Sequence, residues 1–280
     1  MSHFRLATWN VNSLKVRLPH LIKWLDDCEK KGESIDVIGL QELKLTDDKF
    51  PIDELEKAGY LSLFLGQKTY NGVAILVKKS SLAPLCTDIQ TTFLQIQKNI
   101  PNFTDDQQRL LAATIHLKGT TPIRVICGYF PNGQAPGTDK FDYKMSWLQA
   151  LQNFLSDEIK SHDRIVLMGD YNIAPRDEDV HDPQAWIGQN LVSPEERAFF
   201  NHYESLGFFD SFRLFEQPPK TFSWWDYRMM GFRRNAGMRI DHHLITSSLK
   251  EVCVSCSIDK EPRKWEQPSD HAPVIITLKK

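Results

Sequence analysis

The sequence is poor in the features that would remove it from the ordinary globular class. Five cysteines (Cys28, Cys86, Cys127, Cys253, Cys256) are too few, and odd in number, for a disulfide framework, so the chain reads as a reduced protein. Cys253 and Cys256 form a CxxC, but neither a second pair nor a histidine cluster accompanies it, and the two read as core thiols on a strand rather than zinc ligands. No apolar run approaches the ~20 residues that cross a bilayer. The opening MSHFRLATWN lacks a basic region, an apolar stretch and a small-residue cleavage site, so a cytoplasmic protein without a membrane partner is expected. Pro/Gly/Ser-rich linkers, repeats and low-complexity tracts are also missing, and residues 1–280 are expected to form one domain. Excess positive charge is missing too: a net charge of -2 argues against broad coating of nucleic acid by phosphate neutralisation, and leaves only local contact.

Apolar residues, 41% of the chain, are spread along its whole length, enough for a large core. Residues 4–8, 37–40, 72–77, 110–117, 124–129, 164–168, 239–245 and 274–278 read as short strands, several continuously apolar as central strands covered on both faces tend to be. Leu18, Leu21, Ile22 and Leu25 follow helical spacing, with Pro19 expected in the first turn and Gly32 ending the run. Leu148, Leu151, Leu155 and Ile159 make a second helical stripe. Ser193-Pro194-Glu195-Glu196 announces a third helix: an N-cap, a proline at the first position and early acids. The alternation predicts an α/β fold with helices packed outside sheets.

Strand after strand ends in a small polar cluster: ATWNVN at 7–12, GLQE at 39–42, MGDYN at 168–172, RID at 239–241 and SDH at 269–271. If these ends share one edge of the sheets, carboxylates, amides and an imidazole from distant sequence converge there. A site that hydrolyses phosphodiesters is built in that way. Each cluster has a bland reading, since an Asp after a strand is commonly a cap or turn residue, and Asn71-Gly72 is first a turn signal. His242 and His243 read as structural.

The clusters in this order resemble the exonuclease III family of the endonuclease/exonuclease/phosphatase superfamily. ATWNVNSL, LQELKL, QKTYNGVAI, GYFPNG, GDYNIAP, FSWWDYR, GMRID and SDHAPV carry the likeness from Ala7 to Val274, and their order is what outweighs the bland readings. The resemblance implies a four-layer sandwich of two mixed β-sheets packed face to face with helices outside, and a Mg²⁺- or Mn²⁺-dependent site at one sheet edge. It implies hydrolysis of phosphodiesters in double-stranded DNA, at abasic sites and at blocked or recessed 3′ ends, by a monomer acting in base excision repair. HDPQAWIGQNLVSPEE is similar to bacterial members, which places the enzyme in a bacterial cytosol or nucleoid.

By the same resemblance Glu42 is the principal metal ligand, an oxygen donor suited to a hard cation that keeps waters, with Asp270 and Asn12 as supporting or water-mediated ligands. Some relatives carry an acid at the position of Asn12, so the formal charge around the metal is lower here. Asp170 would orient and deprotonate the attacking water. Asn172, two residues on and on the same side of an extended segment, would hold a phosphate oxygen. Asn10 would fix the Asp170 carboxylate or the phosphate, and His271, oriented and kept protonated by Asp241, would donate to a non-bridging oxygen. Tyr129 would donate its phenol to the phosphate or, alternatively, attack as phenolate.

On the substrate side, Trp224 with Met238 and Ile240 is expected to wall an apolar pocket for a base-free sugar or a terminal nucleotide, with Arg228, Arg233 and Arg234 on the DNA backbone. The bland alternative is a core strand and a solvated basic loop, because adjacent Trp224 and Trp225 must point to opposite faces. An inositol-phosphate or lipid phosphodiesterase would reuse Glu42, Asp170, Asp241 and His271 on the same scaffold. A catalytically dead scaffold would have lost some of them, and none is lost.

Overall fold

The computed structural model describes residues 3–280. Its strands in chain order are β1 (His3–Asn10), β2 (Val37–Gln41), β3 (Tyr60–Leu65), β4 (Val73–Lys78), β5 (Leu94–Lys98), β6 (Leu110–Ile115), β7 (Ile123–Tyr129), β8 (Ile165–Asp170), β9 (Phe208–Asp210), β10 (Trp224–Trp225), β11 (Gly237–Met238), β12 (Asp241–Thr246), β13 (Cys253–Ile258) and β14 (Val274–Lys279). One six-stranded sheet has the order β13-β14-β1-β2-β4-β3, and the other β5-β6-β7-β8-β12-β9. Both are mixed: β1–β2 and β7–β8 are parallel and the remaining pairs antiparallel. This is the expected two-sheet α/β sandwich.

The layers follow from the period of two along each strand. On β1, Phe4 and Leu6 face the second sheet and pack with Ile75, Val125, Val166 and Ile245, while Ala7 and Trp9 face outward onto Leu21, Trp24 and Leu25 of the helix Leu14–Lys30. The second sheet's outer face, with Ile126, Leu167 and Leu244, is covered by Leu148, Leu151 and Leu155 of the helix Asp139–Ser161 and by Phe200 and Tyr203 of the helix Pro194–Ser205. Ser193 caps the latter through its predicted side-chain bond to the Glu196 N–H.

Sequence patterns missed β3, β5 and β9, and of β13 marked only the cysteines. Strand β5 is largely exposed and so lacks an apolar face, β9 is only three residues long, and the alternation of Cys253–Ile258 is blunted by serines. Pro19 lies inside its helix rather than in the first turn, since the helix begins at Leu14; it faces solvent there. Cys253 and Cys256 are free thiols on β13, as expected.

Topology gathers the site. Parallel strands end together, so Asn10 and Gln41 finish at one edge, as do Tyr129 and Asp170. Strands β12 and β14 run against their neighbours, so their starts lie at that same edge, with Asp241 opposite Asp170. Behind it, buried Arg239 bonds Asp179 and Asp210, each through two nitrogens, and its Nη1 donates to His242 Nδ1 at 2.9 Å. His242 and His243 are structural, as expected; burial first, and for His242 also the Arg239 charge, push them down to about 4 and about 3.

Gly169 precedes Asp170 on β8, where a Cβ would meet the Gly128 carbonyl oxygen of β7 at 1.9 Å. That contact is with backbone, so it cannot be relieved by a side-chain rotation. Gly169→Ala is therefore expected to separate β7 from β8, lowering stability by at least about 1–3 kcal/mol and activity through the displaced Asp170. Chemical denaturation checks it, and wild-type stability would refute the close approach.

Candidate active site

At the shared edge, Asn10 is wholly buried at the end of β1. Its Nδ2 donates both to Glu42 Oε1 at 2.8 Å and to Asp170 Oδ2 at 2.9 Å, tying the two sheets' principal acids to one amide. Its Oδ1 in turn accepts the Asn12 backbone N–H at 2.9 Å. Asp170 Oδ1 accepts the Asn172 N–H at 2.9 Å, so that carboxylate is held from both sides. Glu42, Asn12 and Asn172 all have positive φ, of 54°, 43° and 49°. Residues other than glycine keep that conformation only where the surroundings impose it, as at sites that aim side chains.

His271 precedes β14, and its Nδ1 lies 2.9 Å from Asp241 Oδ2, while Nε2 lies 3.7 Å from Asp170 Oδ2. Ser223 Oγ donates to the same Asp241 oxygen at 2.6 Å and Trp9 Nε1 to the His271 carbonyl at 3.1 Å, so the pair is oriented on both sides. Burial alone lowers the imidazole's proton affinity, but the Asp241 and Asp170 carboxylates outweigh it and push the pKa up to about 10. Burial pushes Asp170 up to about 7, opposed by the His271 charge and reinforced by Asp241. The Tyr129 phenol is held well above its ordinary value by burial and then by the Glu42 and Asp170 charges. The neutral phenol so favoured is a hydrogen-bond donor.

The oxygen-rich corner suits a hard cation. Lys44 Nζ already stands there, 2.8 Å from Glu42 Oε2 and 2.5 Å from Asn12 Oδ1, which shows that these two oxygens can share one positive charge. One carboxylate oxygen each from Glu42 and Asp170 and one His271 nitrogen lie within 4.8 Å of one another. The imidazole, protonated between two carboxylates, is a poor ligand. Asp270, expected as a supporting or water-mediated ligand, accepts the Asn12 Nδ2–H at 2.8 Å and the Trp224 Nε1–H at 3.0 Å, and so stands beside Asn12.

The three residues expected to wall the substrate pocket differ in exposure. Met238 exposes none of its surface and Ile240 2%, both packed with Ala174, Val180, Leu191 and Val192 in an apolar cluster that the 180–192 segment closes. Trp224 alone of the three is partly exposed. Its neighbour Trp225 is wholly buried, as opposite-facing strand residues require. Arg228, Arg233 and Arg234 line an exposed rim with Met229 and Met230; Arg228 is paired with Asp226, and among the described residues Arg233 and Arg234 have no acidic partner.

Three residues escaped the sequence reading. Lys44 lies two positions after Glu42, inside LQELKL. Asn132, inside GYFPNG, donates to Asn172 Oδ1 at 3.0 Å. Arg109 lies 5.0 Å from the Tyr129 ring and donates to the Tyr129 carbonyl at 3.2 Å. It helps line a hollow of about 630 Å³ beside Glu42, Tyr129 and Asn132. The first two stood inside quoted motifs; nothing near Arg109 marked it.

Residues 7–271 match the Endonuclease/Exonuclease/phosphatase family. The chain is 35% identical to exodeoxyribonuclease III of Haemophilus influenzae over 98% of its own length and all of that protein's. Its structure resembles that of the 3′ phosphatase NExo from Neisseria bound to product DNA hairpin, with a TM-score of 0.88, 38% identity, and 99% and 100% of the two chains covered. It also resembles an AP endonuclease from Archaeoglobus fulgidus, with a TM-score of 0.86, 32% identity and the same coverage.

The raised His271 pKa has a checkable sign. The folded value lies above the ordinary 6.5, so this group's stabilisation is complete below about 6.5 and is lost as pH rises towards about 10. In metal-free protein the His271 ring signals are expected not to titrate between about pH 5 and 8, and Asp241→Asn to bring the titration down into that window. Histidine NMR reads both, and an ordinary titration in the wild type would sink the assignment.

Proposed function

The chain belongs to the endonuclease/exonuclease/phosphatase family and is a DNA-repair nuclease, and from its site we propose a divalent-cation-dependent enzyme for damaged duplex DNA, acting first on blocked or recessed 3′ ends and second on abasic sites. The observation that carries this reading is the convergence of Glu42, Asp170, Asn10 and the His271–Asp241 pair at one sheet edge. The closed cluster beneath Trp224 supports the order of substrates. A terminal phosphate can reach the carboxylates without a sugar being housed, whereas an internal abasic sugar needs that cluster to open.

Members of this family are metal-dependent, and we propose Mg²⁺ or Mn²⁺ held by Glu42 with Asn12. When bound, the cation supplies positive charge to the phosphate oxygens. Asp170, fixed by Asn10 and the Asn172 N–H, takes the proton of the attacking water. His271, kept charged by Asp241, donates to a non-bridging oxygen, and Asn172 and the neutral Tyr129 phenol donate to others, so negative charge developing on phosphorus meets preorganised donors. Arg233 and Arg234 on the rim provide local contact with the DNA backbone, as the chain's net charge of -2 requires. The reading includes a single domain working as a monomer in a bacterial cytosol.

On duplexes carrying a nick with a 3′-phosphate, a recessed 3′ end or an internal abasic analogue, the 3′-phosphate is expected to be released fastest. Abasic cleavage faster than 3′-end processing would reverse the proposed order. Exhaustive metal removal should abolish all three reactions, and undiminished cleavage would refute the role of Glu42.

Asp170→Asn should lower kcat by orders of magnitude with little change in DNA affinity. The rate should rise as Asp170 loses its proton near pH 7, at lower pH once a cation is bound, and fall as His271 loses its own near pH 10. Stopped assays across pH test this, and an alkaline limb that survives His271→Ala would assign it elsewhere.

A further inference from the structure

Lys144, on the helix Asp139–Ser161, carries an ammonium with no exposed surface. It donates to the Asn172 carbonyl at 2.7 Å, the Asn132 carbonyl at 3.3 Å and Glu196 Oε1. Its three protons thus have three acceptors, which fixes its direction. Glu196 is equally saturated: Oε1 also takes the Leu191 N–H at 3.0 Å, and Oε2 takes the Ser193 N–H at 3.0 Å and hydroxyl at 2.7 Å.

Capping the helix Pro194–Ser205 explains Glu196 but not a lysine beneath it. Nor does stability, since a buried ion pair is commonly no better than apolar residues of the same volume. What an apolar residue could not do is bond the two carbonyls. Both belong to asparagines whose side chains meet at 3.0 Å, and the Asn172 N–H holds Asp170. Asn172 is kept at φ 49°, and the Lys144 stem lies so close under Gly133 that a Cβ there would be 2.8 Å from Lys144 Cδ.

We propose that Lys144, with Glu196, is a positioning residue: its ammonium anchors the backbones of Asn132 and Asn172 so that Asn132 Nδ2 holds Asn172 Oδ1 and the Asn172 amide, one of whose protons goes to the Phe130 carbonyl at 3.0 Å, keeps its other proton for the scissile phosphate. Through the Leu191 N–H the same pair fastens the end of the segment that closes over Met238. The proposal rests on the reading of Asn172 as a phosphate-holding residue.

The test measures kcat, KM and melting temperature on a 3′-phosphate duplex for Lys144→Met, Asn172→Ala, their double variant, and Lys144→Met with Glu196→Gln. Lys144→Met is expected to lower kcat roughly 10- to 100-fold with little change in KM, and to add no further loss in the Asn172→Ala background. Removing the charge on Glu196 as well should return melting towards the wild type without returning kcat; if Lys144→Met alone does not fold, this pair carries the comparison. Recovery of kcat together with melting, or losses that multiply in the double variant, would overturn the proposal. Wild-type kcat in Lys144→Met beside an impaired Asn172→Ala would overturn it alone, whereas wild-type kcat in Asn172→Ala would overturn the reading beneath it too.

Discussion

Asp170 and Asp241 face each other across β8 and β12, each 1% exposed, with Glu42 joined to the same cluster through Asn10. Carboxylates so close and so dry cannot all stay ionised without compensation. The imidazolium of His271 supplies it, 2.9 Å from one acid and 3.7 Å from the other. The remaining features of the edge serve this arrangement. Ser223 and Trp9 hold the pair in place, Asn10 satisfies the two acids that the imidazole does not saturate, and Lys44 balances Glu42 on the solvent side.

The scaffold converts strand direction into chemistry. Two parallel pairs and two antiparallel neighbours bring six chain segments to one edge, and the close passage of Gly169 against Gly128 sets the distance between the strands that end in Asp170 and Tyr129. Charge is also used away from the reacting atoms. Arg239 bridges Asp179 and Asp210 behind the edge, and Lys144 bridges Glu196 and two backbone carbonyls beneath it. Each ties a loop to the scaffold through charge-assisted hydrogen bonds.

Much of this was legible in the chain itself. Strand ends marked by polar residues supplied the site's expected members, because many such clusters in one family's order outweigh the cap or turn reading that each has alone. The caps of the helix Pro194–Ser205 were equally plain, since capping is local. Less local matters were not legible. Met238 and Ile240 sit in a strand-like apolar run whether they wall an open slot or a closed cluster, and only the fold of residues 180–192 distinguishes the two. Asp270 was expected near the metal from the family resemblance, and only the fold shows that the indole of Trp224, 46 residues earlier, bonds one of its oxygens.

By itself the sequence determined the residue types available at the edge, the two-residue period that makes layers, the helix starts, and membership of a family with metal-dependent chemistry. These are properties of short segments and of their order. Tertiary structure decided the rest: which acid is paired with the imidazole, which two share the Asn10 amide, that burial holds the Tyr129 phenol above its ordinary range, and that Lys144 is sealed beneath the amides. Those outcomes depend on distances between groups far apart in the chain and on the exclusion of water around them. A proton's position in a buried cluster is a property of the assembled field and not of any one residue.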